Sequence, residues 1–174
     1  SATKKSPKPK SHDERPSNTS RMPYIVLGAI ALYLWQAHQM WSIFGGLAVD
    51  DAYISFRYAE NAAQGLGFVW NAGEAIEGYS NFAWILLLFP FALFGMDLTL
   101  PSQALGLCFG TIAIAFAVRS VKKIFSIEND WSLAITAVII ASSGYFSAWT
   151  VSGMETALHG FLLLWAWARF TEEH

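Results

Sequence analysis

The sequence predicts an all-α integral membrane protein, with about four transmembrane helices and an extracytoplasmic loop that carries two juxtamembrane helices. Three observations predict it. The 174-residue chain is 54% hydrophobic and 16% aromatic but only 14% charged, against roughly 25% charged residues in soluble domains. Apolar runs long enough for a bilayer core, about 20 residues, recur along it. The cations are also uneven. Lys4, Lys5, Lys8, Lys10, Arg15 and Arg21 are six of the eleven Lys and Arg, so the net charge of −2 covers a basic start and a nearly uncharged body.

Residues 1–21 are polar and rich in Pro, Ser and Lys, the composition of a disordered cytoplasmic tail held near anionic lipid. No folded nucleic-acid-binding pattern accompanies these charges, so no nucleic-acid partner is expected. Residues 23–44 form the first expected span. Its basic flank sets the N-terminus inside, and it is too long, with no cleavage signature after it, for a signal peptide. Gln36, His38 and Gln39 near its end face either a polar site or neighbouring helices.

Residues 45–100 are expected to be one outer loop. Within it, residues 81–95 are apolar, but the run is short and Pro90 interrupts it, which suits an interfacial helix better than a span. Charge parity agrees. Further spans are expected at 101–118, 131–150 and 156–170, and Arg119, Lys122 and Lys123 lie between the first two of these. The cluster falls inside only if residues 81–95 do not cross. Gly106 and Gly110 make a GxxxG helix-packing pattern. Cys108, the one cysteine, rules out an internal disulfide and is expected to be a small buried hydrophobe. Trp35, Trp41, Trp70, Trp84, Trp131 and Trp149 sit where interface anchors belong.

The outer loop opens with Asp50 and Asp51. Acids at the mouth of a span are costly and mark a functional site. They begin an amphipathic pattern with Ala52, Phe56, Ala59, Ala63 and Leu66 on one face and Tyr53, Arg57, Glu60 and Gln64 on the other. Gly65 and Gly67 are stop signals. Successive helix residues face different ways, so the two acids are expected to divide roles, with Asp51 the helix cap. The bland alternative is that both only cap and answer the helix dipole. Residues 68–74 read as a turn or short hairpin. Glu77 is either a third acid of the site or solvated surface. The same parity brings Glu155 to the face of Asp50 and Asp51. His159, one turn on, either shares that face or packs in the core.

Asp50 through Asn61, continuing to Glu77-Gly78-Tyr79-Ser80-Asn81 and followed at a distance by Ser152-Gly153-Met154-Glu155-Thr156, resembles the N-terminal part of the GT-C membrane glycosyltransferases. The likeness is to the bacterial branch of arabinofuranosyltransferase-like and mannosyltransferase-like enzymes, and covers about residues 23–171. It implies a bacterial inner-membrane enzyme with an extracytoplasmic site, a polyprenyl-phosphate sugar as donor and a glycan, lipid or protein acceptor. The superfamily has more spans than this chain, which begins with Ser, so the sequence is expected to be an N-terminal fragment.

That resemblance gives the acids a chemistry. A polyprenyl phosphate leaves readily, so the harder task is to deprotonate the acceptor hydroxyl, which a carboxylate within hydrogen-bond reach can do. Attack opposite the phosphate inverts the anomeric centre. Asp50 or Asp51 is the expected base. Arg57 is a candidate for the donor phosphate, or else an interfacial snorkelling arginine. Glu77 and Glu155 are candidates for substrate binding. Asp51 and Glu155 would suit magnesium or manganese, although no spacing demands a metal. The competing class is a non-catalytic polytopic membrane fragment or subunit. A transporter piece fits less well, because the charges are not mid-span.

Overall fold

Seven α-helices and no strand make up the described residues, which are 21–74, 76 and 78–173 of the computed structural model. Most of the tail expected at 1–21, and Glu77, lie outside them. In order the helices are α1 (Met22–Ile43), α2 (Ala52–Ala63), α3 (Phe82–Leu93), α4 (Thr99–Ile124), α5 (Asp130–Ala141), α6 (Gly144–Thr150) and α7 (Thr156–Glu173).

α4 is the axis of the fold, packing against α1, α5, α6 and α7, while α2 packs on α3. Two apolar cores result. One joins α1, α4 and α5 through Tyr33, Ile114, Val118, Leu133 and Val151; the other joins α2 and α3 through Phe56, Tyr58, Trp84, Ile85 and Leu88. Gly106 and Gly110 are buried where α4 meets α6. A Cβ on Gly106 would collide with the Thr150 carbonyl, and one on Gly110 with the Tyr33 hydroxyl and the Thr150 methyl. The GxxxG pattern therefore brings two backbones together, as small residues do.

The helix ends sort into two groups. At one end lie the C-terminal ends of α1 and α6, all of α2 and α3, and the N-terminal ends of α4 and α7. At the other, Arg21, Tyr24, Asp130 and Trp131 line one pocket, and Lys123, Ala168 and Thr171 line another. Arg57 is the one Lys or Arg at the first end among the described residues.

Three of the expected spans fall on single helices, and 131–150 falls on the broken pair α5 and α6, but the criterion of length and apolarity is stricter. One helix, α4, is long and apolar enough to cross a membrane; α5 and α6, bent by 53° at their break, make a second if taken as one span. Four spans are not supported on this measure. α1 is diluted by Gln36, His38, Gln39 and Ser42, and α7 by His159, Arg169 and its acidic end. α3 has 12 residues with Pro90 inside, about 18 Å at 1.5 Å per residue and too short to span.

The bend was not foreseen. Ser143 caps α6 by accepting from the Phe146 N–H, and Gln36 of α1 donates to the Ala141 carbonyl at 3.4 Å. A broken helix is tolerated where neighbours satisfy its backbone groups. Three further expectations are corrected. Cys108 is exposed, because it lies on α4 away from the buried Gly106–Gly110–Ile114 face. Trp84 is 1% exposed, a core residue and no interface anchor. Leu66 is 45% exposed, since α2 ends before it and Gly65 turns the chain with φ +80°.

Candidate functional site

α2 forms where the apolar stripe predicts. Ala52, Phe56 and Ala59 are buried, as are Ser55 and Tyr58; Tyr53, Arg57, Glu60 and Gln64 are exposed. Asp51 occupies the N-cap position but makes no side-chain cap hydrogen bond, so its expected capping role is corrected. The backbone explains this. Capping needs an extended residue whose side chain reaches back to the first N–H groups. Asp51 is already helical, at φ −64° and ψ −25°. The carbonyls of Val49, Asp50 and Asp51 take the N–H groups of Ala52, Tyr53 and Ile54. Both aspartates are exposed, and neither carboxylate has a hydrogen-bond or ion-pair partner among the described residues.

Three distant segments meet beside them. The Asn81 amide Nδ2 donates to Ser55 Oγ at 2.9 Å and to Glu155 Oε2 at 2.8 Å. The Trp84 indole N–H donates to the Gly153 carbonyl at 3.1 Å, and the Val49 N–H donates to the Ser152 carbonyl at 2.9 Å. The turn before α7 is thus tied both to α3 and to the residue preceding Asp50. Its shape needs glycine. Gly153 has φ +87°, and a Cβ there would lie 2.9 Å from the Ala48 Cβ and 3.1 Å from the Ala52 Cβ. Asp51 and Ser55 are four residues apart on helical backbone and share a face. Glu155 and the acidic pair therefore belong to one end of the bundle, joined through Ser55, Val49 and the turn before α7 and by no bond of the aspartate carboxylates.

Arg57 is elsewhere employed. Its Nε donates to the Trp70 carbonyl at 2.8 Å, its Nη2 to Asn71 Oδ1 at 3.3 Å, and its guanidinium lies 4.6 Å from the Trp70 ring centroid. Asn61, one turn on, donates to the carbonyls of Val69 and Trp70. Together they strap the 68–74 segment, which consists of turns without a strand.

His159 does not pack in the core. It is exposed and, with Glu155 and Asn81, lines a groove of about 610 Å³ between the start of α3 and α7. Two supporting residues escaped the sequence reading. Gln103 is 3% exposed, accepts from the Trp41 indole at 3.1 Å and donates to the carbonyls of Gly46 and Leu47. Asn81 was read only as part of a motif. A lone amide at or near the start of an apolar helix is the available signal for both, since an amide shielded from water must find partners.

Among the described residues no group of three or more His, Cys, Asp or Glu could hold a metal ion. Asp51 and Glu155 amount at most to a pair, so a magnesium or manganese there would complete its shell with water or substrate. No protein-family model, no curated protein and no solved structure matches this chain.

Proposed function

We propose that the chain is part of a membrane glycosyltransferase of GT-C type. It transfers a sugar, with inversion, from a polyprenyl phosphate to a hydroxyl of a glycan, lipid or protein. One observation carries the reading: a single amide, Asn81, joins Ser55 and Glu155 across 26 and 74 residues of sequence. The three segments it links are those in which the family resemblance resides.

In this reading Asp51 is the base, because it shares a helix face with Ser55 and its carboxylate is not spent on a cap. It takes the proton of the acceptor hydroxyl. The hydroxyl oxygen then bonds to the anomeric carbon, and the bond from that carbon to the phosphate oxygen breaks with its electron pair on the phosphate. Glu155, fixed by Asn81, orients substrate hydroxyls. Arg57 acts as a scaffold residue, since its hydrogen bonds go to Trp70 and Asn71.

The membrane arrangement goes with this reading. α1, α4, the α5–α6 pair and α7 are the four spans, and α2 and α3 lie at the outer face of a bacterial inner membrane with the N-terminus inside. The charge asymmetry between the two ends of the bundle supports it through the positive-inside rule.

The test is sugar transfer by the full-length gene product in membranes, from a panel of polyprenyl-phosphate sugars. Wild type is compared with Asp50→Asn and Asp51→Asn at matched expression. Loss of about 10²-fold or more in Asp51→Asn is expected for a general base. Equal activity in all three removes the acid pair from the chemistry. Loss in Asp50→Asn alone moves the base by one residue.

A further inference from the structure

The groove between the start of α3 and α7 has a direction. At its upper end Asn81, Glu155 and His159 are exposed or half-buried; below them Leu158, Leu162 and Leu163 continue along α7. Positions 155, 158–159 and 162–163 follow one another at single helical turns, so the polar and apolar parts lie on one continuous strip. An amphiphile is the kind of molecule that matches such a strip.

Its head group follows from the charges. Among the described residues the groove is lined by no Lys or Arg, and its acid is Glu155, held by Asn81 at 2.8 Å. Arg57, the one Lys or Arg at this end of the bundle among the described residues, is bonded to the 70–71 segment. A phosphate would therefore meet a like charge with no fixed cation to offset it. A neutral sugar meets what it needs: carboxylate and amide oxygens that accept, and an imidazole that donates or accepts.

We infer that this groove seats the neutral, hydroxylated head of an amphiphilic acceptor, with its hydrocarbon running down α7, and that the phosphate of the donor lies elsewhere. The name acceptor rests on the transferase reading; the preference for a neutral sugar head over a phosphate head does not.

The experiment is photolabelling of the full-length protein in phosphatidylcholine nanodiscs, using an alkyl glucoside with a diazirine near the end of its chain. Labelled residues are mapped by mass spectrometry. Label is expected within residues 158–163, reduced about tenfold by excess unlabelled alkyl glucoside and unchanged by farnesyl phosphate at the same concentration. Leu162→Trp, which fills the strip at an exposed position, is expected to reduce labelling to a similar degree. Protection by farnesyl phosphate, labelling spread evenly over lipid-facing helices, or labelling indifferent to Leu162→Trp each overturns the proposal. Loss of transfer in Asp51→Asn without any labelling of α7 overturns this inference while leaving the transferase reading intact.

Discussion

Asn81 lies 2.8 Å from Glu155, donating through the same amide nitrogen that reaches Ser55. The bond to an ionised carboxylate is the stronger of the two kinds, and it connects a helix start to a turn that is remote in sequence. Asn81→Ala is expected to destabilise the protein by about 1–2 kcal/mol, the range for a partly buried charge-assisted bond. Asn81→Asp should be worse, since it sets carboxylate against carboxylate. Thermal unfolding in detergent checks both. A double-mutant cycle with Glu155→Gln should give a coupling of about 1 kcal/mol, and additivity would sink the idea that this bond holds the turn.

Gly153 should be hard to replace, for two reasons that act together. Gly153→Ala combines a left-handed residue, about 1–2 kcal/mol, with a Cβ crowded against Ala48 and Ala52. Overpacking of that kind adds roughly 1–3 kcal/mol. Gly65→Ala is the control: its φ is +80° but nothing lies within 4 Å of the added Cβ, so it carries only the backbone part. Equal losses of melting temperature in the two variants would contradict the close packing of the Gly153 turn.

Apart from the break between α5 and α6, the helices were legible because each is an apolar or amphipathic run closed by glycine, proline or charge. α3 was correctly read as short from Pro90 and its length. What escaped were features decided by partners. Ser142 and Ser143 lie inside the run read as one span, and only the cap to Phe146 and the Gln36 bond to Ala141 reveal a break. Trp84 has the composition of an interface anchor, yet its indole points at Gly153 in the core; an aromatic with one polar atom serves either place. The candidate acids stand out in the sequence because charge next to an apolar run is costly. The Asn81 link could not be found that way, because no periodicity encodes a contact between residues 74 apart.

Arg57 separates two roles that make different demands. A phosphate contact tolerates lysine as a point charge, whereas the strap on Trp70 and Asn71 uses a planar fork and a stacked face. Arg57→Lys and Arg57→Met are therefore expected to behave alike, each losing about 0.5–1 kcal/mol at this exposed site. Both should speed proteolytic cleavage within residues 68–74, and Asn61→Ala should do the same. Full retention of loop protection in Arg57→Lys, with loss only in Arg57→Met, would return this residue to a charge-binding role.

Asp97 supplies a pH test at the start of α4. The Thr99 hydroxyl and then the Thr99 N–H hold its carboxyl below the ordinary range, the N–H bond measuring 2.8 Å. A carboxyl depressed in the folded state stabilises it above the unfolded pKa, about 3.9, and that contribution is lost as pH falls through the folded value. Asp97 is exposed, so screening keeps the effect small. Asp97→Asn retains an acceptor for the Thr99 N–H but no charge. Its melting temperature should fall slightly below wild type at pH 7 and converge on it as pH falls through the depressed folded value and both side chains become neutral. A gap between the two that stays constant from neutral to acid pH would mean that the charge of Asp97 contributes nothing to this helix start.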